Sequence, residues 1–493
     1  VAAGDPEFVR FGVWRPDAAD RQADANEAKG CVRRAGSYGP FLAPEVMDAD
    51  ADLDTACLGA QTFFDASGDP QTFAGDAEKL YRLVSGDFED VSKSGGYGAL
   101  ADETWQFEQF GDFIVAATVG EDTQVYELGA STDFDDLSGA PAQFSSVWRH
   151  GDFLFGAEGI TVYWSAFNNI TDWTPDVGTQ AGAQGLDQAG GAVMGGTIGE
   201  YGAIFQENHI RRVTYVGPPV IFDFEQDAIE KRRGALSRNA WVRLGRLVPY
   251  ASEQGFFIFD GQQSIPIGEN KVDEYFKDRL NYATRGRVCC AYDSLQKAVV
   301  WGFPAGDATQ ISELLIFSLT DREWTHDEIE LEHLFEVVNP GFTVETVGNF
   351  FGGTNIDVDG GSFSIDAAIL RGGGKLMGGV NTDHTLVSFS GVARPCILDT
   401  IEAELIPGRR SLVTELWPMV DCTDRLQVST RVGSRLLPGD PVMFNAASVM
   451  NRFGFCETRV DNRFHRGRLQ LAEAAGWTRA EGLSFLAKPT AKR

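Results

Sequence analysis

Pairs of aromatic-rich segments joined by tight turns recur along this chain every 40 to 53 residues, and that period restricts the folds open to it. The clearest pair is Trp105–Val115, WQFEQFGDFIV, and Val147–Phe155, VWRHGDFLF. In each, an aromatic strand reaches Gly-Asp-Phe and a second apolar strand follows, with Gly111 and Gly151 standing 40 residues apart. Similar units turn near Gly68, Gly202, Gly255, Gln296-Lys297 and Gly348. A unit of this length holds three or four short strands and cannot bury both faces alone, so the units must pack on one another. The expected fold class is all-β, a β-propeller of six or seven blades over residues 1–360. Two unrelated β-sandwiches are the competing arrangement. Glu7–Trp14, EFVRFGVW, supplies an early strand able to complete the last blade.

Composition supports strands over helices. The 493 residues are 43% hydrophobic and 11% aromatic, enough for a large core, and 56 glycines against 19 prolines punctuate short Phe/Val/Trp/Tyr-rich runs. After Gly360 the character changes. Ala367–Val380, AAILRGGGKLMGGV, is glycine-rich and marks a boundary, and the segments beyond it (SLVTELWPMV, DRLQVSTRVG, RGRLQLAEA) alternate with period two. Residues 361–493 are therefore expected to form a smaller C-terminal β domain that serves as a docking platform.

Charge divides along the same line. The formal net charge is −29, yet residues 451–493 carry nine Lys/Arg and four Asp/Glu, a net of +5, which leaves −34 on residues 1–450. So acidic a surface is a poor docking face for double-stranded DNA, whose affinity comes from Lys and Arg releasing counterions. It suits a wall past which DNA slides without sticking, and a solvated acidic surface that keeps the protein soluble is the competing reading. Asp48, Asp50, Asp52 and Asp54, with Asp133, Asp135 and Asp136, are the candidates for such a lining. At the basic end, Arg463, Arg466 and Arg468 in RFHRGR are candidates for salt bridges between subunits; on an alternating strand Arg463 falls on the face opposite the other two, which argues against one nucleic-acid stripe.

Seven scattered cysteines without a C-x-x-C read as buried free thiols of a reducing compartment. The N-terminal VAAGDPEFVRFGVW lacks a basic-then-apolar leader, and no run of about 18 apolar residues is present, so neither a signal peptide nor a membrane-spanning segment is expected.

Motifs for chemistry are weak. VYWSAFNNITDWT (Val162–Thr174) approaches the sialidase Asp-box, but Phe167 and Asn169 take the Asp and Gly positions and Trp173 falls one place late. Its W-T-x-D ending recurs at Trp324–Asp327, so it reads as a recurring blade-edge hairpin with Trp173 packed into the repeat. Asn355, Asp357, Asp359 and Asp366 approach a calcium loop, with Asn first and Asp last and no flanking helices; a D-G hairpin turn is the competing reading. The six histidines are dispersed, and H-E-x-x-H, G-x-S-x-G and P-loop patterns are missing from the sequence. No catalytic residue, cofactor or enzymatic activity is expected.

The order of segments YGALADETWQFEQFGDFIVAAT, GAPAQFSSVWRHGDFLFG, VYWSAFNNITDWT, GEYGAIFQENHIRRVTYVGPP, GFFIFDGQQSIPIG and VCCAYDSLQKAVVWGFP resembles the tail-nozzle proteins of short-tailed bacteriophages, also described as tail tubular or packaged-DNA stabilisation proteins. The likeness covers most of residues 5–350, and RRSLVTELWPMVD, VDNRFHRGRLQL and GWTRAEGL are similar to that family's endings. The resemblance implies a structural virion protein, a propeller subunit in a ring of six below the portal and adaptor, assembled in the host cytoplasm. Such a ring extends the channel, retains packaged DNA and lets it out on infection, and tail fibres or a needle can attach to it. A tail-associated propeller that binds or cleaves carbohydrate is the alternative, and a cytoplasmic propeller scaffold is a third reading.

Overall fold

The Gly-Asp turns have a local cause. Gly111 and Gly151 take left-handed φ values of +62° and +59°, and the strands they join pair Phe110 with Phe113 and His150 with Phe153 across a two-residue loop. Glycine at the first loop position is what a primed hairpin turn of this kind requires. The structure is a computed structural model that describes residues 6–18, 27–48, 51–197, 202–225, 229–338 and 374–491.

Seven antiparallel sheets follow from such hairpins. Sheet A consists of Gly59–Phe64, Pro70–Gly75, Leu80–Val84 and Asp87–Asp90, and sheet B of Gln106–Phe110, Phe113–Ala117, Gln124–Glu127 and Asp135–Asp136. Sheet C runs Ser146–His150, Phe153–Glu158, Thr161–Trp164 and Gly182–Gly185, and sheet D runs Val193–Thr197, Gly202–Gln206, His209–Gly217 and Ile221–Phe224. Sheet E has three regular strands, Val248–Ser252, Gly255–Phe259 and Ser264–Pro266. An irregular segment adds to its first strand through the Trp241–Tyr250 bridge and the Val242 N–H donating to Pro249 O. Sheet F is Cys289–Asp293, Ala298–Phe303, Glu313–Ser318 and Trp324–Asp327. Sheet G is His333–Val338, Lys375–Val380 and Leu386–Ser388, completed by Glu45–Val46 from near the start of the chain.

Period-two alternation sends each strand's side chains to two different neighbours. In sheet B, Phe107, Ile114 and Ala116 pack on Phe73 and Leu80 of sheet A, whereas Phe110, Val115 and Ala117 pack on Val147 and Leu154 of sheet C. Sheet F repeats the pattern: Trp301, Phe303 and Leu315 face Phe256 of sheet E, and Val300, Leu314 and Ile316 face Leu334 and Met377 of sheet G. Sheet G packs back on sheet A through Val337, Leu376 and Val380 against Ala60, Ala74 and Tyr81.

The remaining strands form a two-layer sandwich. Sheet F continues sideways through Ala28–Lys29 into Cys396–Asp399, Phe464–Leu471 and Val428–Arg435. The facing layer contains Glu7–Arg10, Cys31–Arg34, Ser37–Pro40, Arg410–Cys422, Cys456–Asn462 and Trp477–Ala491. The layers meet so closely that a Cβ at Gly467 would stand 2.4 Å from the Leu483 side chain. One aromatic core runs from sheets E and F, through Phe276 of the short helix Asp273–Arg279, to Leu416, Leu469 and Phe485 of the sandwich.

One expected strand pairing differs from what is found. Glu7–Arg10 pairs with Trp477–Ala491, not with the last of the seven sheets, because its one buried side chain, Val9, belongs to the sandwich core; Glu45–Val46 takes the place expected for it. The expected boundary at 360/361 lies outside the described residues, and strands on either side of it share sheet G. The W-T-x-D echo is likewise not a structural repeat: Trp324 sits in the fourth strand of sheet F, whereas Trp173 sits in the excursion between the third and fourth strands of sheet C. Six of the seven cysteines are buried and all are free. Among the described residues, no helix is long and apolar enough to cross a membrane.

Trp301 tests the shared core. It is fully buried between Phe256 and Trp324, with ring centroids 5.0 and 5.5 Å away, and its Nε1 donates to Ala240 O at 3.1 Å. Trp301→Ala is expected to cost about 3–5 kcal/mol, read as a lowered urea midpoint, with the sheets and the sandwich losing structure together.

Candidate functional site

Because each sheet presents its first member inward, the seven first members line one central cavity of about 490 Å³. Sheets A to D contribute Ala60–Phe64, Gln106–Gln109, Val147–Arg149 and Gly195–Thr197. The irregular segment of sheet E contributes Arg238, Asn239, Trp241, Val242 and Arg243, sheet F contributes Cys290, and sheet G contributes His333–Glu336 with Lys375. Glycine is needed at Gly195 and Gly196, where an added Cβ would stand 2.9 Å from the Trp241 ring and 2.4 Å from Trp148 Nε1.

Bonds between non-neighbouring sheets cross one end of the cavity, where the first strands begin. Gln106 Nε2 donates to Asn239 Oδ1 at 2.6 Å, joining sheet B to sheet E, and Arg238 is ion-paired with Glu103. Beside them, Arg287 Nη2 donates to the carbonyls of Cys57 and Glu332 at 2.8 and 2.9 Å. The fully buried Glu332 carboxylate accepts from Cys57 N at 2.7 Å and meets His384 Nδ1 at 2.7 Å. This buried latch ties sheet G to the entry of sheet A. Satisfaction is incomplete at both places: Arg238 Nε, Asn239 Nδ2 and Trp241 Nε1 in residues of the cavity wall, and Arg287 Nη1 in the latch, are buried without an acceptor in the protein.

The cavity interior perturbs its titratable groups. Glu108 is surrounded by protein while part of its surface faces the cavity, and this desolvation pushes its carboxyl up to about 7 against the opposing pull of Arg243. Burial, assisted by the positive charge of Arg287, drives His333 down to about 3, so it is neutral at ordinary pH. Glu336 is tied to Lys375 at 3.0 Å. The cavity can therefore bind polar or charged groups, with Glu108 exchanging a proton near neutrality.

None of these residues stood out in the sequence, although one signal was available. Gln109 and Arg149 each stand two places before the turn glycine in the two matching hairpins, and both line the cavity.

The residues singled out from sequence lie elsewhere. Asp48, Asp52, Asp54, Asp133, Asp135 and Asp136 are all exposed, around the last strands of sheets G and B and the lead-in to sheet A, away from the cavity. Asp54 pairs with Lys79 at 2.6 Å and Asp136 with Lys93 at 2.7 Å. Asp50 and the calcium candidates Asn355, Asp357, Asp359 and Asp366 fall outside the described residues. Among the described residues, no group of three or more His, Cys, Asp or Glu is arranged to hold a metal. Trp173 is buried 5.0 Å from the Phe144 ring, and its Nε1 donates to Ile170 O at 2.6 Å.

The three arginines are engaged within the chain. Arg463 Nε meets Glu404 at 2.7 Å, Arg466 is buried, and Arg468 binds Asp399 in a fork of 2.7 and 2.8 Å while stacking 4.3 Å over Phe444. Asp399 is fully buried, so Arg468→Ala leaves an uncompensated charge and is expected to destabilise the single chain by about 3–5 kcal/mol, measured by chemical denaturation. For Glu108 the sign runs the other way from an ordinary ion-paired carboxylate. Its folded-state value lies above its unfolded value, so its contribution to stability is present at low pH and lost as pH rises through about 7. Glu108→Gln should therefore gain stability relative to the parent between pH 5 and pH 8 in parallel urea titrations. The depressed His333 acts oppositely, losing its contribution as pH falls from about 6.5 toward about 3.

No family model matches the chain, and no curated protein matches it. Among solved structures, it is similar to the crystal structure of the computationally designed Ika8 protein, with a TM-score of 0.38 and 9% identity over 77% of this chain and 99% of that one.

Proposed function

We propose that this chain is a seven-bladed β-propeller subunit of the tail nozzle of a short-tailed bacteriophage, a structural protein of the virion and not an enzyme. The observation that carries the fold part of this reading is the cyclic order of packing, A on B through to G, with G returning to A, around one cavity. The role rests on the resemblance of segment order over residues 5–350, to which the fused sandwich adds a rigid platform for neighbouring subunits.

In this reading, DNA does not thread the subunit. A cavity of about 490 Å³ with one end crossed by Gln106–Asn239 and Arg238–Glu103 has no room for a DNA duplex, whose major groove alone is about 12 Å wide. The passage is instead the shared opening of a six-membered ring stacked under the adaptor and portal. The exposed carboxylates Asp48, Asp52, Asp54, Asp133, Asp135 and Asp136 face it and keep the polymer from sticking.

A carbohydrate-binding tail propeller is the second reading. It is favoured by one feature: Phe167 and Tyr215, both exposed, flank Phe153 at 5.6 and 5.7 Å and form an aromatic shelf on sheets C and D.

Electron microscopy of the protein isolated with its native partners separates the two. The nozzle reading expects six-fold rings stacked coaxially on a portal assembly. Lone, unstacked particles would overturn it and favour the carbohydrate reading.

A further inference from the structure

We infer that one corner of the C-terminal sandwich docks, head to tail, on the aromatic shelf of sheets C and D in a second copy of this chain. The inference deepens the ring reading and rests on it for the identity of the partner. A closed ring repeats one heterologous contact, so each chain must carry two different faces that fit each other. The first face is the shelf of Phe167 and Tyr215, widened by Val177, Val216 and Val220, each more than half exposed. Its loops are tied together: Phe167 N donates to Thr179 O at 3.0 Å, and the Tyr215 hydroxyl donates to Gln180 Oε1 at 2.7 Å. With that hydroxyl engaged and aliphatic groups around it, the widened shelf suits an apolar protein surface better than a sugar, whose hydroxyls need hydrogen-bond partners.

The second face is built from the turn before Val428–Arg435 and the segment that follows Ser448. Leu426 is 76% exposed, the highest value among the large apolar side chains described, and Phe453 and Val449 are 63% and 51% exposed. Arg425 Nη1 donates to Arg452 O at 2.7 Å and Met450 N to Val428 O at 2.9 Å, which holds the two segments side by side. Phe453 stacks on Phe455 at 6.3 Å, and Phe455 packs on Trp417 at 4.9 Å, so the corner is supported from beneath. Contiguous exposed apolar groups with polar rims mark interaction sites.

Charge matches one face to the other. Residues 165–181 and 214–224 contain Asp172, Asp176 and Asp223 and no Lys or Arg, and Asp152, whose carbonyl accepts from Asn168 N at 2.8 Å, brings the shelf to a net of −4. Residues 424–427 and 448–455 carry Arg425 and Arg452, both exposed, against Asp424, a net of +1. The Asp424 carboxylate is already engaged, accepting from Leu426 N at 2.9 Å. On a chain of net charge −29 two copies repel in most orientations, and an apolar corner that is also basic selects the one in which it meets the acidic shelf.

The test is sedimentation velocity of the full chain between about 1 and 100 µM. The parent is expected to associate, less strongly as salt rises. The shelf variant Val216→Ser/Val220→Ser and the corner variant Leu426→Ser/Phe453→Ser change only exposed side chains, and each should weaken association about tenfold or more, as should Arg452→Glu. An equimolar mixture of the two double variants should form dimers and nothing larger, because two such chains together hold one intact corner and one intact shelf. A parent that stays monomeric, whether or not it binds an oligosaccharide, would overturn the contact, as would either double variant associating like the parent. Head-to-tail oligomers of a number other than six would support the contact and count against the nozzle ring. Six-fold rings on a portal that form equally well from the corner variant would overturn the contact and leave the nozzle reading standing.

Discussion

The return of the seventh sheet onto the first is the contact on which the other six depend. A sheet with two apolar faces must bury both, and a row of such sheets leaves one bare face at each end unless those ends meet. Here they meet through Val337, Leu376 and Val380 against Ala60, Ala74 and Tyr81, and beside this apolar seam lies the Arg287–Glu332–Cys57 latch. Glu332 is worth more as a positioning group than as a source of stability. Its charge is fully buried, so the pairing with His384 and the Cys57 amide mainly offsets desolvation, while fixing the relative height of two strands distant in sequence.

The second determinant is the absence of a seam between the sheets and the sandwich. Sheet F passes into the sandwich through backbone pairing at Lys29–His326 and Lys29–Ile397, and the aromatic core does not break there. Interiors packed at this density transmit displacement instead of absorbing it. The two parts therefore move as one body.

Much of the fold was legible because its cause is local. A residue at positive φ between alternating apolar segments marks a hairpin, and five of the seven turns read from sequence join strands: those at Gly68, Gly111, Gly151 and Gly255 in sheets A, B, C and E, and the Gln296-Lys297 turn, with Lys297 at positive φ, in sheet F. Pairings between distant segments leave no such mark, so neither Glu7–Arg10 on Trp477–Ala491 nor Glu45–Val46 on Leu386–Ser388 was readable. The W-T-x-D echo misled for a related reason: an indole fills a core gap equally well from a loop, as Trp173 does, or from a strand, as Trp324 does. The alternation of RFHRGR was read with its faces separated, but the acids that receive Arg463 and Arg468, Glu404 and Asp399, lie 59 and 69 residues earlier. The cavity was invisible because its wall is assembled from a few residues of each of seven sheets, and any one of them alone is an ordinary side chain on a half-buried segment.

The pairing of early strands with late ones also sets an order in time. Glu7–Arg10, Ala28–Lys29, Cys31–Arg34, Ser37–Pro40 and Glu45–Val46 find their strand partners largely among residues 324–491, so these segments must wait while more than half of the chain is made. At about 5–20 residues per second that wait lasts on the order of tens of seconds. Sheets A to D consist of strands consecutive in sequence and can form as they emerge, but their outer faces stay bare until the late strands arrive. Throughout that interval the nascent chain carries open strand edges and aromatic surface. Its formal charge of −29 then has a use distinct from any in the finished molecule, because mutual repulsion keeps half-built copies apart.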